Sequence, residues 1–250
     1  MSELDNQPHK KSLVFAHRGA NREALENTRS AFDKALGYAI DGIETDVQLS
    51  RDEVAVLWHD RFLNKNGLDG KLIDDFDYRE LKALIHPESD GEGIMTLQDF
   101  LAAYRARCRL LIEIKNRDWE AVSRHQLKIR QTLDMIGQNP KQRMIVSSFN
   151  LPSLAYAHQY NPEFPLVYNF EDNQTVADAR ALLSTHAFLH GLCVPIQNLD
   201  REMVDLLRQQ GKCVAVYTCN SDGEISKALQ LGVDILISDV PQQALTLRDR

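Results

Sequence analysis

The stretch Ile43-Glu44-Thr45-Asp46-Val47 alternates β-forming residues with two carboxylates. In a strand, successive side chains point to opposite faces, so Glu44 and Asp46 share one face. One interpretation is a half-exposed strand that shows both acids to water, because charged side chains usually lie at the surface. The alternative is a strand of a parallel barrel whose acids face the interior, where two ionised carboxylates need a cation. The rest of the chain decides between these interpretations.

Short apolar runs alternate with amphipathic helical patterns along most of the chain. We predict strands at 13–16, 42–49, 54–58, 110–115, 144–149 and 165–170, within 187–195, and at 213–219 and 235–238, with the third as a hairpin-like return of the second. The helices predicted between them include one over 97–107, one from about 119 to 136, and one that Asn27 or Thr28 could cap. Strands that alternate with helices predict right-handed βαβ units and a parallel sheet. About eight such units in 250 residues are typical of a TIM (β/α)8 barrel. A doubly wound sheet is the competing fold, but no G-x-G-x-x-G opens the first βα turn.

The domain organisation follows from the same alternation. We predict a polar N-terminal tail over 1–12 and a single barrel domain over 13–250. Residues 61–93 break the alternation, being rich in Asp, Asn, Gly and Lys, with a short helical pattern near 78–84. We therefore predict an insertion on the rim of the barrel after the second strand.

Composition and charge exclude several classes of protein. The net charge is -7 with no Lys/Arg-rich block, which argues against nucleic-acid binding and polybasic membrane binding. No apolar run reaches membrane-spanning length, and the N-terminus lacks a signal-peptide core. The four cysteines, Cys108, Cys193, Cys213 and Cys219, lack metal-site spacing and are interpreted as small buried thiols. We expect a cytoplasmic protein and make no prediction of oligomeric state.

In TIM barrels the active site lies at the carboxyl ends of the strands. Side chains capable of chemistry fall at those ends: His17, Arg18, Glu44, Asp46, His59, Glu113, Lys115, Ser148, Phe149, Tyr217 and Asn220. Glu113 and Lys115 share one face of their strand, opposite Ile112 and Ile114. Because a closed barrel has no edge and the isoleucines suit the helix-facing side, we expect the acid and the base to face the interior.

Three carboxylates, Glu44, Asp46 and Glu113, on adjacent strands form an oxygen-only group. Hard oxygen ligands favour Mg²⁺ or Ca²⁺ over zinc. Arg18 could grip a phosphate in two places, and Lys115 could add a point charge.

Two histidines at strand ends titrate near neutral pH, so one can act as general base and the other as general acid. These are His17 and His59. For His17 alone, the capping of a loop is an equally good interpretation. Its neighbour Arg18 and the nearby carboxylates favour catalysis.

These residues together resemble the glycerophosphodiester phosphodiesterase family. The matching motifs are His17-Arg18-Gly19, Glu26-Asn27-Thr28, 42–47, His59-Asp60, Glu113-Ile114-Lys115, Ser148-Phe149, 216–220, Gly232-Val233-Asp234 and Ser238-Asp239. The resemblance extends over residues 13–241, nearly the whole chain. It is specific in the combination of motifs rather than in any single one.

The resemblance implies a TIM barrel with a small insertion after the second strand. The roles it implies are an acid–base pair at His17 and His59, a divalent cation at Glu44, Asp46 and Glu113, and phosphate contacts at Arg18 and Lys115. We also expect Phe149 and Tyr217 among the substrate-binding residues. Tyr217 stands where many family members have Trp, and the segment after His59-Asp60 is short and lacks Arg-Thr-Thr. These departures leave the preferred alcohol open.

The expected reaction is metal-dependent hydrolysis of a glycerophosphodiester to sn-glycerol 3-phosphate and an alcohol such as choline or ethanolamine. By similarity to phosphoinositide-cleaving lipases, His17 is the expected base and His59 the expected acid. Attack by the glycerol hydroxyl, giving a cyclic phosphate, and direct attack by water both remain open.

Two alternatives keep the barrel and change its role. A lysophospholipase D-like enzyme would need an apolar rim, for which the insertion offers Phe62, Leu68, Phe76 and Tyr78. A non-catalytic barrel that binds phosphodiesters would be expected to have lost a histidine or a carboxylate. This chain retains all of them.

Overall fold

The computed structural model describes residues 11–86, 89, 91–116, 120–137 and 143–250. Within these residues the strands are β1 (Leu13–His17), β2 (Gly42–Leu49), β3 (Ala55–Leu57), β4 (Arg109–Ile114), β5 (Met144–Ser148), β6 (Leu166–Asn169), β7 (Gly191–Pro195), β8 (Cys213–Tyr217) and β9 (Ile235–Ser238). The helices are α1 (Arg29–Gly37), α2 (Tyr78–Ala83), α3 (Leu97–Tyr104), α4 (Val122–Ile136), α5 (Leu151–Tyr160), α6 (Val176–Thr185), α7 (Arg201–Gln209), α8 (Asp222–Leu231) and α9 (Pro241–Arg248).

Parallel strands close into a barrel. The sheet runs β1-β9-β8-β7-β6-β5-β4-β2, and the pairing of β1 with β2 closes the ring. The remaining strand, β3, is antiparallel to β2, with Val47 opposite Leu57. It is therefore the hairpin-like return predicted at 54–58, although it is shorter than that prediction. Helices connect successive parallel strands, and the predicted TIM barrel is confirmed.

Helix boundaries follow local capping chemistry. The side chain of Thr28 accepts a hydrogen bond from the Ala31 amide and begins α1, and Asn150 likewise accepts from Ser153 to begin α5. Each supplies an oxygen to an amide that has no partner within the helix. Of the two candidate caps at 27 and 28, Thr28 takes this role, which leaves Asn27 available for another.

The alternation of strand side chains separates two apolar layers. Ile43, Val47, Ile112 and Ile114 belong to the large core between the sheet and the helices. Inside the barrel a second cluster is centred on Phe15 and includes Leu111, Val167, Cys193, Ala215, Ile235 and Ile237. All four cysteines are free thiols, and Cys213 is only half-buried whereas the others are buried.

The segment predicted as an insertion carries little regular structure. Two 3-10 turns, Asn64–Asn66 and Ile73–Asp75, precede the short helix α2. Its apolar side chains pack into a third cluster that includes Val56, Trp58 and Leu63. The proposed division of the chain into tail, barrel and insertion stays a prediction, and most of the tail, residues 1–10, lies outside the described residues.

Two predicted helices differ from the observed ones at their ends. The helix predicted over 97–107 ends at Tyr104, and the helix predicted from about residue 119 begins at Val122. Residue 119 itself lies outside the described residues. In the part of the chain that the structure describes, no helix has the length and apolarity needed to cross a bilayer.

Candidate active site

A cavity of about 140 Å³ opens at the carboxyl ends of the barrel strands. Its lining includes most of the residues predicted from the sequence: His17, Arg18, Glu44, His59, Glu113, Lys115, Phe149 and Tyr217. Asp46 is fully buried beside the cavity, where it pairs with Arg18 and Lys115. Two further residues predicted at the strand ends, Ser148 and Asn220, do not line the cavity. The other predicted residues converge on one site.

The end of β1 and the turn that follows it bring His17 and Arg18 to the cavity. Arg18 has a φ of 58° and Gly19 a φ of 86°, so the backbone enters the left-handed region directly after the strand. That conformation costs a non-glycine residue energy, of order 1–3 kcal/mol, and persists only where surrounding contacts hold it. The amide of Arg18 donates to the Glu44 carbonyl oxygen at 2.9 Å, which joins this turn to β2.

The three predicted cation ligands lie side by side on β2 and β4. Asp46 is directly opposite Glu113 in the parallel pairing. One oxygen from each of Glu44, Asp46 and Glu113 lies within 4.8 Å of the others, and all three residues are buried. Glu44 Oε2 is buried without a hydrogen-bond partner among the described residues. A buried, unpaired carboxylate oxygen beside two further carboxylates is the donor set expected for Mg²⁺ or Ca²⁺, so these residues fit a divalent cation.

Two basic side chains, Lys115 and Arg18, already compensate part of this negative charge. Lys115 Nζ lies 3.0 Å from Asp46 Oδ1 and also pairs with Glu113. Arg18 Nε lies 3.1 Å from Asp46 Oδ2. Asp46 is therefore held by both cations, whereas the Glu44 carboxylate has no such partner within ion-pair distance among the described lysines and arginines.

The electrostatic environment separates the two carboxylates of β2. Burial raises the pKa of Glu44 well above its usual range, and the charge of Asp46 adds to this. Burial also acts to raise the pKa of Asp46, but Lys115 and Arg18 outweigh it and hold that pKa below its usual range. Of the two carboxylates, Glu44 therefore takes up a proton at higher pH than Asp46 does.

His17 is oriented by Asp239, the residue directly after the last strand, β9. Its Nδ1 lies 2.6 Å from Asp239 Oδ1, and its Nε2 lies 3.8 Å from Glu44 Oε2. Burial acts to raise the pKa of Asp239, but hydrogen bonds from His17, Asn21 and Asn220 outweigh it and hold the pKa below its usual range. An ionised Asp239 only accepts hydrogen bonds, so Nδ1 of His17 carries the proton and Nε2 bears the lone pair.

His59, which lines the same cavity, has a comparable partner. Its Nδ1 lies 2.8 Å from Asp60 Oδ1. Glu26, His59 and Asp60 form a second group whose ligand atoms lie close together. Lys65 already pairs with Glu26 at 2.8 Å and with Asp60 at 2.9 Å. The buried group of Glu44, Asp46 and Glu113 is therefore the better candidate for a cation.

Aromatic side chains form the opposite wall of the cavity. The rings of Phe149 and Tyr217 meet edge to face at 6.0 Å, and Lys115 Nζ lies 5.8 Å from the centre of the Phe149 ring. The hydroxyl of Tyr217 donates to the Phe170 carbonyl oxygen. This hydrogen bond fixes the ring, so Tyr217 offers the cavity an aromatic surface.

Several residues of the site were not predicted. Asp239 had no assigned role, although it directly follows β9 and the strand-end rule that selected His17 would have found it. Asn169 ends β6 and lines the cavity together with Ser147. Ser147 rather than the predicted Ser148 faces the interior, because Ser148 Oγ turns away to donate to the Ile114 carbonyl oxygen at 2.8 Å.

Two asparagines act behind the site. Asn27 donates to Asp46 Oδ2 at 3.0 Å and accepts from Thr45 at 2.8 Å, so it orients a predicted cation ligand. No local signal in the sequence distinguishes it from a helix cap. Asn220, predicted at the cavity, instead donates to Asp239 Oδ2 at 2.7 Å.

Comparisons with known proteins agree with this geometry. The model of the Glycerophosphoryl diester phosphodiesterase family matches residues 17–243. A glycerophosphodiester phosphodiesterase of Bacillus altitudinis is 30% identical over 249 residues, which cover 94% of this chain and 98% of that protein.

Solved structures show the same likeness. A phosphodiesterase of Oleispira antarctica, in complex with the product sn-glycerol-3-phosphate, superposes with a TM-score of 0.83 at 27% identity, covering 96% of this chain and 98% of that one. A glycerophosphodiester phosphodiesterase of Thermotoga maritima gives a TM-score of 0.78 at 27% identity, covering 97% and 100%. With a family match over most of its length, the chain belongs to the glycerophosphoryl diester phosphodiesterase family and is a phosphoric diester hydrolase.

Proposed function

We propose that the protein hydrolyses glycerophosphodiesters to sn-glycerol 3-phosphate and an alcohol, with a divalent cation and two histidines as the acid–base pair. The observation that carries the proposal is the cavity that brings His17, His59 and the carboxylate group together at one barrel mouth. The similar Oleispira antarctica phosphodiesterase holds sn-glycerol-3-phosphate, which supports the same product here.

The proposed base is His17. Burial lowers its pKa, against the opposing effect of Asp239, so the imidazole is neutral near pH 7. With the proton on Nδ1 directed at Asp239, the lone pair on Nε2 is free to take a proton from the attacking hydroxyl or water. The proposed acid is His59, which lines the same cavity and whose Nδ1 contacts Asp60. In this proposal its Nε2 protonates the leaving alkoxide.

The remaining residues bind and orient the phosphate. Glu44, Asp46 and Glu113 would hold Mg²⁺ or Ca²⁺, which supplies charge stabilisation at a non-bridging phosphate oxygen. Arg18 and Lys115 line the cavity and pair with Asp46. From these positions they would also contact the phosphate of a bound substrate. Phe149 and Tyr217 form the wall proposed to contact the substrate.

The lysolipid alternative would need an exposed apolar rim. Of the four side chains that the sequence offered for that rim, Leu68, Phe76 and Tyr78 pack against the cluster that contains Val56 and Trp58. Phe62 lies outside this cluster and is half-buried, with the Arg61 guanidinium 4.9 Å from the centre of its ring. Packed side chains are not available to hold a fatty chain, which weighs against this alternative.

The test is release of glycerol 3-phosphate from glycerophosphocholine and glycerophosphoethanolamine, after chelation and after return of Mg²⁺ or Ca²⁺. Release that requires the cation supports the proposal. Cleavage of detergent-solubilised lysolipid without cleavage of the water-soluble diesters would favour the lipid enzyme. Saturable binding of the diesters without turnover would favour the non-catalytic barrel.

Substitution Asp239→Asn provides a test of the His17 pair through pH. Asp239 raises the pKa of His17, so its removal makes the imidazolium less stable and the proton leaves at lower pH. We therefore expect the acidic limb of the kcat/KM profile, which reports the base of the free enzyme, to move to lower pH, with a lower rate at the plateau because a weaker base transfers protons less well.

The matched control is Asp134→Asn, since Asp134 lies on α4 and contacts Tyr160 far from the cavity. Its profile should coincide with that of the unaltered enzyme. An acidic limb that stays in place, or moves to higher pH, in Asp239→Asn would remove His17 from the role of base.

A further inference from the structure

A largely buried cluster of charged side chains lies behind the cavity, on α4 and just before it. Lys128 is fully buried, and its ammonium lies 3.1 Å and 2.9 Å from the two carboxylate oxygens of Glu120. Arg124, one helical turn earlier, has its Nε 3.7 Å from the same carboxylate. We call Glu120, Arg124 and Lys128 the α4 clamp.

The α4 clamp donates hydrogen bonds to the backbone at the ends of β2 and β4, the two strands that carry Glu44, Asp46 and Glu113. Lys128 Nζ donates to the backbone carbonyl oxygen of Lys115, directly after β4. Arg124 donates to the carbonyl oxygens of Leu49 and Ser50, at the end of β2, at 3.0 Å and 2.7 Å. Carbonyls at strand ends have no ladder partner, so these donors determine where the chain leaves each strand.

The backbone of Lys115 is consequently held from two sides. Its amide donates to the Val47 carbonyl oxygen at 3.1 Å, and its carbonyl accepts from Lys128. The Lys115 side chain then reaches Asp46 and Glu113 in the cavity. A shift of the carbonyl would rotate the residue and move the ammonium away from these carboxylates.

Burying an ammonium group costs desolvation free energy, whereas an apolar side chain of the same volume packs without that cost. The contacts of Lys128 show what the charge does beyond filling space: it fixes a carbonyl that an apolar side chain cannot bind. We propose that Lys128, paired with Glu120, is a positioning residue that acts through Lys115 on the hydrolysis. This inference rests on the proposed function.

The single variant Lys128→Met leaves the Glu120 carboxylate buried and without its ammonium, so it is expected to destabilise the fold. The informative variant is therefore Lys128→Met/Glu120→Gln, which removes both charges and nearly conserves volume. We expect its unfolding temperature to recover toward that of the unaltered protein. Its kcat should remain about 10- to 100-fold low, the usual effect of losing a partner that orients groups around a metal site, with KM changing less.

A double-mutant cycle with Lys115→Met separates positioning from general structural support. If the clamp acts through Lys115, the paired clamp substitution adds little further loss of kcat once Lys115 is absent. Additive losses would show that the clamp acts independently of Lys115 and would overturn the proposal.

The position of the Lys115 ammonium group can also be followed without turnover, by NMR of lysine ammonium groups. Lys115 and Lys128 are buried and ion-paired, so their protons should exchange slowly enough for detection, and Lys115→Met and Lys128→Met assign the signals. In the paired clamp variant we expect the Lys115 signal to shift or broaden. An unchanged Lys115 signal would contradict the proposal whatever the activity of the enzyme, whereas the absence of turnover in the unaltered protein would overturn only the proposed function.

The control is Lys227→Met. Lys227, on α8, donates to the Ile196 carbonyl oxygen at 2.9 Å, directly after β7. Like Lys128, it donates to a backbone carbonyl oxygen just after a strand, but β7 carries none of Glu44, Asp46 and Glu113. Its substitution should leave kcat and the Lys115 signal unchanged, and an equal loss in this variant would reduce Lys128 to one of several general supports.

Discussion

Replacing His17 by Ala should lower turnover by roughly 10²–10⁴-fold, the usual contribution of acid–base catalysis. The physical reason is that the site loses the one imidazole whose Nδ1 is held by Asp239 and whose Nε2 lies beside Glu44, at 3.8 Å from Oε2. The measurement is kcat for release of glycerol 3-phosphate at saturating cation. The fold should persist, because the variant removes a partly exposed ring at the cavity rather than a core side chain.

His190→Ala is the matched control for this prediction. His190 precedes β7 at the opposite end of the barrel, in a second cavity that contains none of the candidate site residues. Its removal should leave turnover within a factor of about two, as expected for a position remote from the chemistry. If His17→Ala kept a comparable rate, the base would have to be sought elsewhere in the cavity.

Substitution Glu44→Gln should abolish cation-dependent stabilisation and lower turnover by about 10²-fold or more. A cation at a hundred times its dissociation constant stabilises the fold by about 2.7 kcal/mol, and the amide offers neither the charge nor the second oxygen of the carboxylate. Loss of several kcal/mol of charge stabilisation in the transition state corresponds to this fall in rate. Without a cation the variant should be no less stable than the parent protein, because it removes a carboxylate from a crowded acidic group.

The same residue makes cation binding depend on pH. Since burial raises the pKa of Glu44 in the cation-free protein, protons compete with a cation for this carboxylate more strongly than they would for an exposed one. The cation concentration needed for a fixed rise in unfolding temperature should therefore fall as pH rises. Thermal unfolding measured over a range of Ca²⁺ or Mg²⁺ concentrations at several pH values gives this quantity. The control is Glu202→Gln, an exposed residue on α7, whose cation response should match that of the parent.

If the cation still stabilises Glu44→Gln at the concentration that stabilises the parent protein, then the cation binds somewhere other than at Glu44, Asp46 and Glu113. Retained turnover together with lost stabilisation would instead separate cation binding from catalysis. The two measurements are therefore made on the same protein preparation.

Much of the fold was predictable because its signals are local. A period of two along β2 and β4 places Glu44 with Asp46 and Glu113 with Lys115 on interior faces, and that periodicity is a property of any strand. Helix caps are likewise local, and Thr28, one of the two candidates for the first cap, begins α1. The ends of α3 and α4 were predicted less well, since helix ends depend on how the last turn packs against its neighbours.

The order of apolar and polar residues along the chain is sufficient to predict the alternation of strands and helices, and with it the TIM barrel and the set of side chains at its mouth. The residues that support that set become visible only when distant parts of the chain are brought into contact. His17 and Asp239 lie 222 positions apart and meet because β1 pairs with β9. Asn27 reaches Asp46, and Lys128 reaches the end of β4, through contacts between elements. The physical reason is that periodicity reports which face a side chain occupies, whereas partners across the barrel are set by closure of the sheet and the packing of helices around it.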